Sequence, residues 1–180
     1  MRAILVNADR ALAERQSLGI DSKDERWDGE WHFVNPPKRW HARLNSDLFR
    51  ALAPVAEARG LSPYGDNTGI FAELENDWRV PDQAYARPDH EIDEGLTGAE
   101  LVVELLSPGD ESHAKLPFYA GRGISEVLIV DEQRRFELYR LASGGYIQVP
   151  DGECEALGVR FATVEGPKLR ATWDGASADV

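Results

Sequence analysis

Residues 101–131 read LVVELLSPGDESHAKLPFYAGRGISEVLIVD. Residues 99–106 and 125–131 are apolar runs of strand length. Between them Ser107-Pro108-Gly109 breaks the first run, and Ser112 is placed to cap a short helix through Ala120. Pro117 is tolerated near the first turn, and Gly121 and Gly123 end the helix. Strand, helix, strand in this order predicts a crossover between two parallel strands, which is right-handed in nearly all proteins. The second run, SEVLIVD, is apolar almost throughout, as expected of a strand covered on both faces.

Working outward, residues 41–59 carry Leu44, Leu48, Leu52 and Val55 at spacings of four, four and three. That periodicity predicts a helix stopped by Gly60, with a kink or local break at Pro54. Residues 27–34 (WDGEWHFV) alternate around the turn signal Asp28-Gly29, which predicts a bent strand or a hairpin. The same alternation sets Trp27, Trp31 and Phe33 on one face, with Asp28 and His32 on the other. Residues 68–74 and 78–87 read as strands, and the polar stretch 88–98 as a loop. Residues 134–141 alternate as a half-exposed strand, and 146–149, 158–163 and 169–173 as shorter ones. The order predicts an α+β fold: a mixed central β-sheet flanked by a few helices. Residues 1–26 read as an N-terminal helical arm, and 27–175 as a single domain.

The composition is that of an ordinary globular chain, 42% hydrophobic and 29% charged over 180 residues. No run approaches membrane-spanning length, and the N-terminus lacks the pattern of a signal peptide. Cys154 is the single cysteine, which excludes an internal disulfide and a cysteine-based metal cage and fits a cytoplasmic protein. Twenty basic against 32 acidic residues give a net charge of −12. That disfavours tight non-specific binding to nucleic acid, although a local basic surface or a divalent cation can offset the global sign.

Glu104 interrupts an apolar strand, and a buried carboxylate must be paired, metal-bound or turned to solvent. Asp82 follows Pro81, a residue that marks a strand start, edge or bulge. Lys115 falls in the first turn of the helix after Glu104, from which its side chain leans back toward the strand. Two acids and a lysine suit hard-cation chemistry, since Mg²⁺ is held by one or two carboxylates and several waters. Each residue also has an ordinary reading. Strand alternation allows Glu104 to be a surface acid, Asp82 a turn residue and Lys115 a solvated helix lysine.

Several motifs in fixed order carry a resemblance that weighs these readings. They are Pro81-Asp82, Glu104 before Leu106-Ser107-Pro108, Lys115 followed by Tyr119, Gly123-Ile124, and a strand ending Ile129-Val130-Asp131. Upstream stand Asp28-Gly29-Glu30, two prolines, and His41 opening a helix. Together, over residues 15–173, they resemble the Uma-type restriction endonuclease family of the PD-(D/E)xK nuclease superfamily. The resemblance implies a restriction-endonuclease-like core and a metal-dependent endonuclease acting on DNA. Asp82 and Glu104 would bind Mg²⁺ or Mn²⁺, Lys115 would position or activate the attacking water, and His41 would be an accessory residue. The superfamily's usual lysine lies two residues after the acid, where this chain has Leu106, so Lys115 serves from the helix instead. Asp110 or Glu111 stands where many members have an aspartate before the lysine, and Glu30 is a weaker candidate. Two other readings stay open: a non-catalytic binding module on a nuclease fold, and a phosphoesterase acting on something other than DNA. The five tryptophans read as packing residues rather than base-stacking platforms. A homodimer is expected, paired through the strand at 134–141 taken as an edge.

Overall fold

The computed structural model describes residues 8–107, 109 and 111–180. Helix α1 (Ala8–Leu18) is followed by a hairpin of β1 (Glu25–Trp27) and β2 (Glu30–His32). Asp28 and Gly29, with φ of 49° and 88°, form its two-residue turn, and both positions must be left-handed for a turn of this kind. Because Trp27 pairs with Glu30 and Glu25 with His32, the turn shifts the simple alternation. Trp27 therefore shares a face with His32, on which it stacks at 4.0 Å, and not with Trp31 and Phe33. Among the described residues the N-terminal arm holds a helix over Ala8–Leu18, and the hairpin begins at Glu25.

Helix α2 (Arg39–Glu57) buries His41, Leu44, Leu48, Leu52, Val55 and Ala56 along one stripe. It runs unbroken through Pro54. The proline lies in the last turn, removes one N–H, and is followed by buried Val55 and Ala56. Gly60, at φ 75°, ends the helix, with Leu61 N–H donating back to Ala56 O at 3.0 Å.

Next come β3 (Ser62–Tyr64), β4 (Gly69–Glu73), β5 (Asp77–Arg79) and β6 (Gln83–Ala86), a 3₁₀ turn at Pro88–His90, then β7 (Glu91–Ile92) and β8 (Gly95–Leu96). The expected strand at 78–87 is thus two strands in two sheets, divided at Val80-Pro81-Asp82, where proline has no N–H to offer a ladder. The expected loop at 88–98 contains two short strands, with β8 parallel to β4. Strand β9 (Leu101–Leu106) leads through a 3₁₀ turn (Ser112–Lys115) and α3 (Leu116–Gly121) into β10 (Glu126–Asp131), which pairs parallel to β9. The chain ends with β11 (Phe136–Ala142), β12 (Gly145–Gln148), β13 (Glu153–Cys154), β14 (Val159–Val164), β15 (Lys168–Trp173) and β16 (Ala176–Asp179).

Three sheets result, in orders β2-β1-β5-β4-β8-β7, β12-β11-β10-β9-β6-β3 and β13-β14-β15-β16. The second is the mixed central sheet. On one face Leu101, Val103, Leu105, Leu128 and Val130 pack with the apolar stripe of α2 and with Val159, Phe161 and Leu169 of the third sheet. On the other, Val102, Val127 and Ile129 pack with Tyr119 and Ile124 and with Ile70 and Leu96 of the first sheet. Strand β11 lies between β10 and β12, so it is interior and offers no edge. The edge expected for homodimer pairing is taken by β12, the short strand expected at 146–149.

Buried Glu126 ties the third sheet on. It accepts hydrogen bonds from Arg140 Nε at 2.9 Å, Ala156 N–H at 2.8 Å and the Cys154 thiol at 3.1 Å. Burial, then the neighbouring Glu126 carboxylate, pushes the thiol well above its ordinary range. Cys154 is therefore an inert core thiol.

Candidate active site

Strand alternation points Glu104 away from α2, together with Val102. That face is not solvent: α3 and the first sheet cover it, and Glu104 is 3% exposed. The surface reading of Glu104 therefore fails. Its two oxygens accept hydrogen bonds from Lys115 Nζ at 3.0 and 3.2 Å, and one also accepts from the Tyr119 hydroxyl. Lys115 and Tyr119 are four residues apart, one helical turn, so a single helical segment supplies both donors.

Lys115 has a second carboxylate partner. Its Nζ lies 2.8 Å from Glu25 Oε1, closer than either oxygen of Glu104. Glu25 is itself fixed by the Val80 N–H at 2.8 Å and by the Trp27 indole N–H at 2.7 Å. Glu25 is the residue the sequence reading missed, because it stands in the charged string DSKDER. The turn signal at Asp28-Gly29 held the clue. Extending the hairpin back from it makes Glu25 the same-face neighbour of Trp27.

Asp82 joins from the end of β6. Strands β6 and β9 are antiparallel with Gln83 opposite Val103. Continuing that register by one step sets Asp82 opposite Glu104, an arrangement of like charges that is unfavourable without a cation. Asp82 Oδ2 accepts the Leu105 N–H at 2.8 Å, supplying the acceptor the broken ladder lacks. His41 Nε2 lies 3.3 Å from the same oxygen, and His41 Nδ1 is buried with no hydrogen-bond partner among the described residues.

Burial drives the electrostatics. Desolvation raises Glu104 to about 8, opposed by the Lys115 ammonium and reinforced by the carboxylates of Asp82 and Glu25. Burial alone would lower Lys115, but Glu104 and Glu25 more than reverse this, so it is raised and stays an ammonium. Burial, then Glu104, holds the Tyr119 phenol neutral. Three carboxyl groups thus face one ammonium, and Glu104 keeps its proton until a further cation or a higher pH removes it.

That donor set fits a hard divalent cation. It offers carboxylate oxygens, which suit Mg²⁺ or Mn²⁺, and no cysteine. Among the described residues no three His, Cys, Asp or Glu side chains converge as ligands. Asp82 and Glu104 alone would hold the ion, with waters completing the shell. A carboxylate has about four lone-pair sites, so the bonds from Lys115 and Tyr119 leave Glu104 acceptor capacity.

Arg79 joins the two halves of the site. It is 5% exposed, with its guanidinium 4.3 Å from the Trp27 ring centroid and 4.2 Å from that of Phe118. Its Nη1 donates to Arg26 O, Asp77 Oδ1 and Trp78 O. It therefore clamps the indole that holds Glu25 against the helix that carries Tyr119.

The structure thus brings Asp82, Glu104, Lys115 and His41 together, and adds Glu25 and Tyr119. Glu30 is exposed on β2. Glu111 meets His32 Nδ1 at 3.0 Å instead of the buried carboxylates. His113 is exposed and pairs with Glu137. Asp110, like Pro108, lies outside the described residues.

Residues 14–160 match the family model of Uma2, described as "Putative restriction endonuclease". The chain belongs to the Uma2 family. Among solved structures it is similar to a protein of Anabaena variabilis ATCC 29413 titled "a putative nuclease belonging to DUF820". The two share 14% identity over 72% of this chain and 78% of that one, with a TM-score of 0.57. That likeness gives the Uma2 chain a restriction-endonuclease-like fold. No curated protein matches it.

Proposed function

We propose that this Uma2 protein is a metal-dependent endonuclease that hydrolyses phosphodiester bonds of DNA. One observation carries the reading: Lys115 Nζ sits 3.0 Å from Glu104, in a buried site where Asp82 comes opposite Glu104 from the neighbouring strand. Asp82 and Glu104 hold Mg²⁺ or Mn²⁺. The bound ion supplies Lewis-acid polarisation of a phosphoryl oxygen and an acidified water.

The chain's own residues do the rest. Lys115 stays an ammonium between two carboxylates, so it donates hydrogen bonds and does not act as a base. It positions the attacking water and offsets charge that develops on phosphorus-bound oxygen. Glu25 fixes where that ammonium sits. Tyr119 donates to Glu104 and orients its carboxylate. His41 orients Asp82 as an accessory residue.

The restriction-endonuclease description of the family supports DNA as the substrate. Among the described residues no helix is long and apolar enough to cross a membrane. A homodimer would pair through an outer strand of the central sheet, such as β12, where Ile147 is 56% exposed.

The −12 charge favours the second reading, a non-catalytic module, in which Lys115 neutralises the acids in place of a metal. Incubation of wild type and Lys115→Met with single-stranded and duplex DNA in Mn²⁺ separates the two. Metal-dependent cleavage by wild type, lost in the variant, supports the endonuclease. Protein that cuts neither form and binds no Mn²⁺ saturably supports the module.

A further inference from the structure

Behind the site, on the opposite face of the first sheet, lies a cavity of about 300 Å³. The pairing register explains its walls. Trp31 is opposite Arg26, Arg26 opposite Trp78, and Trp78 opposite Phe71, so these four form one row across four strands. Residues directly opposite share a face. Their neighbours Glu25, Trp27, His32 and Arg79 point the other way, into the site with Lys115. A strand engaged at Glu104 therefore has no path to this cavity.

Trp31, Phe71 and Trp78 give it three aromatic walls, and Trp31 and Trp78 meet edge to face at 5.3 Å. Phe71 is fixed in place by glycine. A Cβ on Gly69 or Gly95 would come within 2.8 or 2.9 Å of its ring, so only glycine at both positions lets the ring lie across that strand pair. Asp21, Asp24 and Glu94 supply the charge, and no lysine or arginine is among the lining residues. Asp24 is held by Arg15 at 2.5 Å, whereas Asp21 and Glu94 pair with no cation among the described residues.

Aromatic faces and carboxylates without basic residues select for cations and against phosphates. The same aromatic cluster already holds guanidinium groups of the chain itself. Arg26 lies 5.3 Å from the Trp31 centroid and Arg15 lies 5.2 Å from that of Phe33. The volume is at the small end for ligand pockets and suits a head group with a short tail. We infer that this cavity is a binding site for a guanidinium or alkylammonium group, separate from the metal site. The cation is either a free small molecule or an arginine side chain presented by a peptide.

Trp31 and Trp78 make the test direct, because tryptophan fluorescence reports occupancy. Arginine, agmatine and an acetylated arginine tetrapeptide are titrated into the intact protein, with N-acetylated citrulline, whose side chain is the uncharged isostere of arginine's and whose α-amine is blocked, as the control. The cations are expected to give saturable signals and the control none. Exposed Glu94→Gln and half-buried Asp21→Asn are each expected to weaken binding about three- to tenfold, and Glu104→Gln to leave it unchanged. Tighter binding of the tetrapeptide identifies a protein partner; equal or tighter binding of agmatine identifies a free amine. The inference is overturned if no cation gives a saturable signal. It is also overturned if the control binds as well as arginine and both carboxylate variants behave as wild type. Neither result bears on metal binding at Asp82 and Glu104.

Discussion

Lys115 is anchored to Glu25 at 2.8 Å, a shorter approach than to Glu104 on the strand that precedes its helix. The ammonium is therefore a bridge between the β1–β2 hairpin and the central sheet. Removing it leaves two buried carboxylates without a counter-charge. Lys115→Met is expected to destabilise the fold by about 3–5 kcal/mol, the usual cost of breaking a buried pair from one side. Urea denaturation measures this. Adding Glu104→Gln to the variant should restore part of the loss, because one orphaned charge is then gone.

Glu25→Gln keeps an acceptor for the Val80 N–H but cannot accept from both Trp27 and Lys115. A loss of about 1–3 kcal/mol is expected, typical of a charged group's hydrogen bonds. Near-ultraviolet circular dichroism should report a loosened Trp27 beside it.

Glu104 gives the site a pH signature. Its carboxyl is raised from 4.5 to about 8, mainly by burial, so the fold holds this proton more tightly than the unfolded chain does. The unfolded chain releases it first, and the contribution to stability is full below pH 4.5. That contribution is lost progressively as pH rises toward 8. In metal-free buffer, Glu104→Gln should show a flatter dependence of melting temperature on pH than wild type over this window. A parallel pair of curves would contradict the shift.

Arg79→Lys preserves charge but not the planar stack between Trp27 and Phe118. We expect a cost of about 1–2 kcal/mol, of the size of a desolvated cation–π contact. Arg79→Met should cost more, because Asp77 then loses its ion pair as well. Thermal unfolding of both variants checks the order.

Much of this was legible in the sequence. Leu44 to Val55 announced α2 through one-turn spacing, and an acid inside LVVELL posed the choice between a surface charge and a buried polar site. The resemblance attached Asp82 and Lys115 to it. What the sequence hid was decided by distant partners. Residues 176–179 (ASAD) have no apolar pattern, and form a strand only because β15 offers backbone groups to pair with. Strand β11 looked like an edge because its alternation resembles one. Its interior place depends on pairing with β12, a strand the sequence showed without showing its partner. Pro81 was visible as a break, but not as the point where the chain passes from one sheet to another. Glu25 stayed hidden because one acid among several carries no signal until Lys115 comes to it.

The central claim is that Asp82 and Glu104 hold a divalent ion. Calorimetric titration of Mn²⁺ into wild type, Asp82→Asn and Glu104→Gln tests it most directly. Asparagine at 82 still accepts the Leu105 N–H, so lost binding there reports the charge and not the fold. The account predicts one saturable site in wild type, with none in either variant. Equal weak binding in all three proteins would contradict it, and would leave Lys115 as the cation these acids were built to hold.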